Sequence, residues 1–380
     1  MTGILARATG LLLGALLLAG ACAAPGSSPA PERSSAGSSP VAAATAPSAP
    51  AGGPTAAPPP LSPPVVVRVA SLLGLTDAGL FIAQDRGYFA EEGLEIEHSR
   101  VDGAAQAMPH VATGQLDVAG VTPSAALFNA VNRGLPLRIA GDKGHVAPGY
   151  SQNTWMLRED LAASGAVRDW ADLRGHTLGI NVPNSGSSTD IMLDGALERG
   201  GLTRDEVRVV ELPYPDINAA FANQTIEAAL HTEPFATLGV NLGVARRWRP
   251  ASDVRSEQYT GVWIYSPQFA ATEAAYRFMV AYLRGVRDYN DAVVHGRGKD
   301  AIVDILARYT AVKDPALYAQ MQFAAIDPDG RVRPEVLERD VQYYLAKGFM
   351  QQPVDVRQVI DQRFADYALS RLGPYRPPAP

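Results

Sequence analysis

The residue types best suited to chemistry in this 380-residue chain gather in one short run, Pro183-Asn184-Ser185-Gly186-Ser187-Ser188-Thr189-Asp190. Its small residues allow close backbone approach. Amides at a following helix start, with three consecutive hydroxyl side chains, make a donor set for an anionic or polar group. A helix N-cap by Ser187 or Ser188 would need only one hydroxyl, so Ser185, Gly186, Ser187, Ser188 and Thr189 stand as candidate ligand contacts. In open α/β sheets ligands bind beyond the carboxyl ends of strands, and Thr76, Asp77, Thr122 and Ser124 occupy such positions after two earlier strands. Asp77 and Ser124 suit an N-cap as well as a contact, and the same holds for Asp216 after Pro213-Tyr214-Pro215. Glu233 is placed to face an amine or amide of a ligand, whereas His231 reads as a core histidine. His145 lies in the glycine-bearing stretch Gly141 to Tyr150, expected to be a loop. Trp155 and Trp263 can stack on a ligand or pack in a core. Acidic and hydroxyl candidates outnumber basic ones, so a small zwitterion or uncharged heterocycle fits as well as an oxyanion.

Enzyme signatures are poor. The chain has no His-Glu-x-x-His motif, no Gly-x-Ser-x-Gly elbow and no Cys/His cluster with metal spacing, so no cofactor or metal is expected. Asp327-Pro328-Asp329-Gly330 opens like a calcium loop, but its glycine comes two places early, and a turn is the better reading. Without a basic run, nucleic acid is not an expected partner.

The single cysteine, Cys22, follows Arg7, the apolar run Leu11 to Leu18 and the small residues Ala19-Gly20-Ala21. This order reads as an export leader, too short to span a bilayer. The cysteine resembles a bacterial lipoprotein attachment site, which implies a lipid anchor on Cys22 after removal of residues 1–21. Loss of the one basic residue in that leader takes the net charge from −6 to −7. Residues 22–64 are almost entirely Ala, Pro, Ser, Gly and Thr, too polar and small to offset ordering entropy. They read as a tether spanning roughly 35–40 Å as a coil.

From Val65 onward β-branched runs alternate with helical stretches closed by glycine, which argues for parallel βαβ units. The pattern restarts near Asn153, and after about Tyr265 the chain reads as mostly helical to Leu372. Two α/β units result, with the helical tail packed on one of them.

The run Arg86-Gly87-Tyr88-Phe89-Ala90-Glu91-Glu92-Gly93-Leu94 resembles a signature of the solute-binding proteins of ABC importers for nitrate, sulfonates, taurine and thiamine precursors. Ala112 to Val118, Gly134 to Ala140, Leu173 to Gly179, Glu233-Pro234-Phe235 and Asp327 to Arg331 continue the resemblance, which spans about Val65 to Leu372. Asn223 to Glu227 departs from it, where the family has Gly and Asp. The resemblance implies a two-lobed periplasmic-binding-protein type II fold of α/β class, with parallel-sheet lobes joined by two crossover strands and the ligand between them. Lobe 1 is expected to hold 65–151 and 262–380, and lobe 2 to hold 152–261. It implies a monomer, lipid-anchored outside the bacterial cytoplasm, that hands a small solute to an ABC permease and its ATPase. A same-fold lipoprotein serving a sensor is the alternative. A thiamine-pyrimidine synthase-like enzyme is disfavoured, because its cysteine cluster is missing.

Overall fold

The computed structural model describes residues 58–101 and 104–378. The expected leader, Cys22 and most of the tether lie outside the described residues. Ten strands build two sheets: β1 (Val65–Ser71), β2 (Leu94–Arg100), β3 (Val118–Val121), β4 (Arg138–His145), β5 (Asn153–Arg158), β6 (Thr177–Ile180), β7 (Arg208–Glu211), β8 (Ala228–Thr232), β9 (Ala245–Pro250) and β10 (Tyr259–Tyr265). The first sheet has the order β2-β1-β3-β10-β4 and the second β7-β6-β8-β5-β9. The sequence pattern predicts parallel sheets, but each contains one antiparallel member. These are β10, antiparallel to β3 and β4, and β5, antiparallel to β8 and β9. Each is the strand that arrives from the other half of the molecule.

That exchange dictates how the halves face. β5 starts at Asn153 opposite Thr232, the last residue of β8, and β10 starts at Tyr259 opposite His145, the last residue of β4. Both crossovers therefore run from the carboxyl-terminal edge of one sheet to the carboxyl-terminal edge of the other. The connections are residues 146–152 and 251–258, which at about 3.3–3.6 Å per residue can span less than about 30 Å. The two carboxyl edges must lie against each other, and the loops leaving those edges meet between the lobes.

The helices cover both faces of each sheet. In lobe 1, Val67, Val69 and Tyr265 pack with Phe278 and Tyr282 from the helix Glu273–Val293. On the opposite face Val121, Ile139 and Ile264 pack with Leu337 and Tyr344 from the helix Pro334–Ala346. The segment after Tyr265 thus closes lobe 1 from both sides. Lobe 2 is built alike, with Leu193 and Leu197 of helix Ser188–Arg199 on one face and Ile217 and Phe221 of helix Tyr214–Ala222 on the other. The end of the expected tether is held to lobe 1. The Pro59 carbonyl accepts from Arg277 at 2.7 Å, and Leu61, the one large apolar residue among 58–64, packs on the core.

Helix Glu273–Val293 meets helix Ala78–Asp85 at a glycine contact. A Cβ on Gly285 would stand 2.1 Å from the Gly79 carbonyl oxygen and 2.8 Å from the Ala83 amide nitrogen. Backbone atoms cannot swing aside as a flexible side chain would. Gly285→Ala is therefore expected to destabilise lobe 1 by about 1–3 kcal/mol in denaturant unfolding, although alanine is the better helix former by about 1 kcal/mol.

Candidate functional site

The facing carboxyl edges touch directly where the serine-rich loop meets a lobe 1 helix. Ala125, first residue of helix Ala125–Asn132 in lobe 1, donates its amide to the Gly186 carbonyl of lobe 2 at 2.7 Å. A Cβ on Gly186 would lie 2.7 Å from the Ala125 Cβ and 3.0 Å from the Phe349 ring, so the close approach needs glycine there. Ser124 caps the same helix, its Oγ accepting from the Leu127 amide at 3.4 Å. Thr122 donates to the Thr260 carbonyl at 3.0 Å, fastening the loop after β3 to the crossover strand β10.

In the serine-rich run the amides point inward. The Asp190 carboxylate, fully buried, accepts from the amides of Asn184 (2.7 Å), Ser185 (2.9 Å), Gly186 (2.9 Å) and Ser187 (3.4 Å). Arg204 reaches it at 3.0 Å. Backbone donors of this kind form an anion nest, and here the chain's own carboxylate fills it. Ser185 and Ser187 bond each other, Oγ to Oγ, at 2.8 Å. Ser188 and Thr189 start the helix with their amides outside the nest, and Thr189 shares a hydrogen bond with the Tyr214 hydroxyl. Burial pushes that phenol up to about 12, with Thr189 pulling the other way, so it stays protonated.

The lobe 1 side centres on a residue the sequence pattern did not single out. Lys143 Nζ lies 2.9 Å from Asp77 and 2.8 Å from the Thr76 hydroxyl, with side-chain exposures of 2% for the lysine and 0% for the aspartate. Its stem runs across the sheet: a Cβ on Gly120 of β3 would come within 2.3 Å of it, and one on Gly261 of β10 within 3.4 Å. The ammonium stands 5.4 Å from the centre of the Trp263 ring. The stretch Gly141 to His145, expected as loop, is strand because its glycines and charges serve this crossing. Two residues on, His145 donates through Nδ1 to the Asp142 carboxylate at 2.8 Å; burial disfavours the imidazolium, yet Asp142 outweighs it and raises the His145 pKa.

The remaining candidates separate. Glu233 is enclosed by Arg247 at 2.6 Å, the Thr237 hydroxyl at 2.7 Å and the Gln322 amide at 3.2 Å, so it ties lobe 2 to the segment before Phe323. His231 stacks between Tyr214 and Phe235, with Nε2 3.3 Å from Asn218 and Nδ1 unpartnered. Burial takes its pKa down to about 3, and the ring is neutral. Asp216 is exposed in the first turn of its helix. Trp155 packs edge-on against Trp170, and Trp263 against Tyr282, both fully buried in the cores.

A second seam flanks the first. Asp194 accepts from Arg204 (2.5 Å) of its own lobe and from Tyr343 (2.9 Å) and Lys347 (2.7 Å) of lobe 1. Burial alone would raise this carboxyl, but Lys347 and Arg204 hold it below the ordinary range. Ile191 joins the lobe 1 core. A surface depression of about 380 Å³ beside Arg68, Asp117 and Glu273 lies at the opposite, amino-terminal edge of the first sheet, away from these loops. Among the described residues no group of His, Cys, Asp or Glu is arranged to hold a metal ion, and no helix is long and apolar enough to cross a membrane.

A sequence profile described as NMT1/THI5 like matches residues 76–292, which include both crossovers and the strand-end loops from Thr76 to Glu233. The chain belongs to the NMT1/THI5-like family. The family's architecture recurs in solved structures. The nitrate-binding protein NrtA of Synechocystis PCC 6803 superposes with a TM-score of 0.65 at 14% identity, covering 82% of this chain and 89% of that one. The aliphatic sulphonate binding protein SsuA of Escherichia coli gives 0.62 at 19% identity, covering 79% and 92%. The desulfurization enzyme DszB gives 0.58 at 16% identity, covering 81% and 99%. A curated Brucella abortus relative, assigned as a binding protein, is 24% identical over 148 residues, 39% of this chain. The chain spans about two-fifths of the length of the curated relatives it matches. At these identities the structural likenesses establish the periplasmic-binding-protein fold for this NMT1/THI5-like chain.

Within that fold the Lys143–Asp77 pair is the most exacting electrostatic feature. Lys143→Met leaves a buried carboxylate without its counter-charge and is expected to cost about 3–5 kcal/mol in denaturant unfolding. Adding Asp77→Asn is expected to restore most of that loss, a non-additivity that a double-mutant cycle reads directly.

Proposed function

We propose that this NMT1/THI5-like chain is an extracytoplasmic solute-binding protein of an ABC importer, tethered to the membrane by lipid on Cys22. It captures a small organic solute of sulfonate, taurine, nitrate or thiamine-pyrimidine type between its lobes. The observation that carries this reading is the pair of carboxyl-terminal strand edges, joined by two short crossovers and brought face to face at Ala125 and Gly186. Such an arrangement can grip a ligand by hinge closure when affinity for the shut form exceeds that for the open one. Family membership and the likeness to nitrate- and sulphonate-binding proteins support it.

The proposed contacts are the hydroxyls of Thr122, Ser124, Ser185, Ser187, Ser188 and Thr189, the close backbone approach that Gly186 allows, and the loops bearing Thr76, Asp77, Asp216 and Glu233. Asp77 and Glu233 act in this reading by shaping their loops, since both are spent on internal cations. The sensor-coupled alternative uses the same cleft and differs only in the partner.

Calorimetry against alkanesulfonates, taurine, nitrate and pyrimidine thiamine precursors is expected to find one class that binds. The change Ser188→Ala with Thr189→Val should weaken it by about tenfold or more, the equivalent of one lost hydrogen bond. A broad thermal-shift screen without a single stabilising small molecule would remove the reading. The anchor is tested separately: Cys22→Ser is expected to move the protein from the membrane fraction to the soluble extracytoplasmic fraction, and unchanged membrane retention would refute lipidation.

A further inference from the structure

The return crossover, residues 251–258, ends in a buried pair that solute capture does not itself require. Gln258 donates through Nε2 to Asp340 Oδ2 at 2.7 Å, and both residues are fully buried. Asp340 belongs to the helix Pro334–Ala346 of lobe 1. The two remaining oxygens of this pair, Asp340 Oδ1 and Gln258 Oε1, have no hydrogen-bond partner. With Asp340 ionised, both would be acceptors shut away from water and from any donor, an arrangement that proteins strongly avoid. One proton on Oδ1 removes the conflict. The carboxyl then donates to the same amide that bonds its other oxygen, and the two planar groups share two hydrogen bonds.

The surroundings are charged on every side. Arg339, Tyr343 and Tyr344 stand on the helix of Asp340, Arg255 and Glu257 on the crossover, and Glu198 and Asp190 on helix Ser188–Arg199. Glu257 is paired with Arg333. Burial raises the Asp340 carboxyl to about 7, against the opposing pull of Gln258, Arg339 and Arg255. Arg255 is half-buried, its amide bonds the Ala251 carbonyl at 3.1 Å, and its guanidinium has no hydrogen bond or ion pair among the described residues; burial and Arg339 lower its pKa.

We propose that Asp340 holds a proton shared with Gln258, and that this acid–amide pair is a catch fastening the return crossover to lobe 1, released when the carboxyl ionises and turns to Arg255. The helix carrying Asp340 also carries Tyr343, with Lys347 just beyond, and these two bond Asp194 across the lobe seam. Loosening at Gln258 therefore reaches the seam through one rigid element. Resting on the solute-capture reading above, this makes closure over the ligand pH-dependent, with the shut form favoured while the catch is fastened.

The sign follows from the folded value lying above the ordinary carboxyl value near 3.9. The folded chain binds the extra proton between about pH 4 and pH 7, so this contribution to stability falls as pH rises through that window and is level above it. Asp340→Asn gives a partner that forms both bonds with Gln258 at every pH. Hydrogen exchange in residues 251–258 of the wild type, corrected for intrinsic rates, is expected to quicken about tenfold or more between roughly pH 5 and pH 8.5, and to stay level in D340N. The thermal midpoint of the wild type should drop relative to D340N over roughly pH 4.5 to 7 and then run parallel. Identical pH dependence in the two proteins would overturn the proposal. If D340N does not fold, the wild-type exchange decides alone, and an absence of pH-dependent acceleration in 251–258 overturns it equally. Neither readout needs a solute, so failure to find a ligand leaves the catch standing, while a solute bound with pH-insensitive affinity by wild type and D340N alike denies its role in closure.

Discussion

The Asp190 carboxylate, clasped by four consecutive amides and by Arg204, is the interaction on which the meeting of the lobes depends. An ionised group buried this deeply is tolerated only when its oxygens are fully bonded, and the loop from Asn184 to Ser187 wraps itself around that requirement. The wrapping turns the Gly186 carbonyl outward, where it accepts the first amide of a lobe 1 helix. It also starts the helix that carries Asp194 to its bonds with Tyr343 and Lys347. A change at Asp190 would therefore be felt in the nest, at the Gly186 contact and along the second seam at once.

Lobe 1 obeys the same economy. Its buried cation, Lys143, is neutralised by Asp77 rather than left to face the cleft, and three strands give up side chains at Gly120, Gly144 and Gly261 to let the lysine and Thr76 pass. Glu233 and Arg247 repeat the device on the lobe 2 side. With these formal charges paired internally, the loops at the facing edges present mainly hydroxyls and backbone. Low-dielectric surroundings make each internal pair rigid, because separating either partner leaves an uncompensated charge. The crossovers then connect two internally paired bodies through the short segments 146–152 and 251–258.

Much of this was legible in the residue order. The alternation of β-branched runs with glycine-ended helices reported the α/β architecture, since a strand-forming run and a helix-ending glycine are local features that survive in one dimension. The serine-rich run was recognisable as a strand-to-helix loop for the same local reason. The direction its amides take was not. Amide orientation depends on which acceptor lies nearest, and the decisive acceptor, Asp190, was visible only as the end of the run. Lys143 was hidden because the run Gly141-Asp142-Lys143-Gly144 looks like a loop when the lysine's partner lies 66 positions away.

By itself, then, the amino-acid order determined what is local or periodic: strands, helices, their caps and the family motifs, all of which rest on interactions among residues a few positions apart. Tertiary structure alone decided which charges meet. The antiparallel entry of β5 and β10, the Lys143–Asp77 and Asp340–Gln258 pairs, and the contact of Ala125 with Gly186 each join distant segments, and their energies arise from burial and geometry that exist only once the two sheets have been set edge to edge.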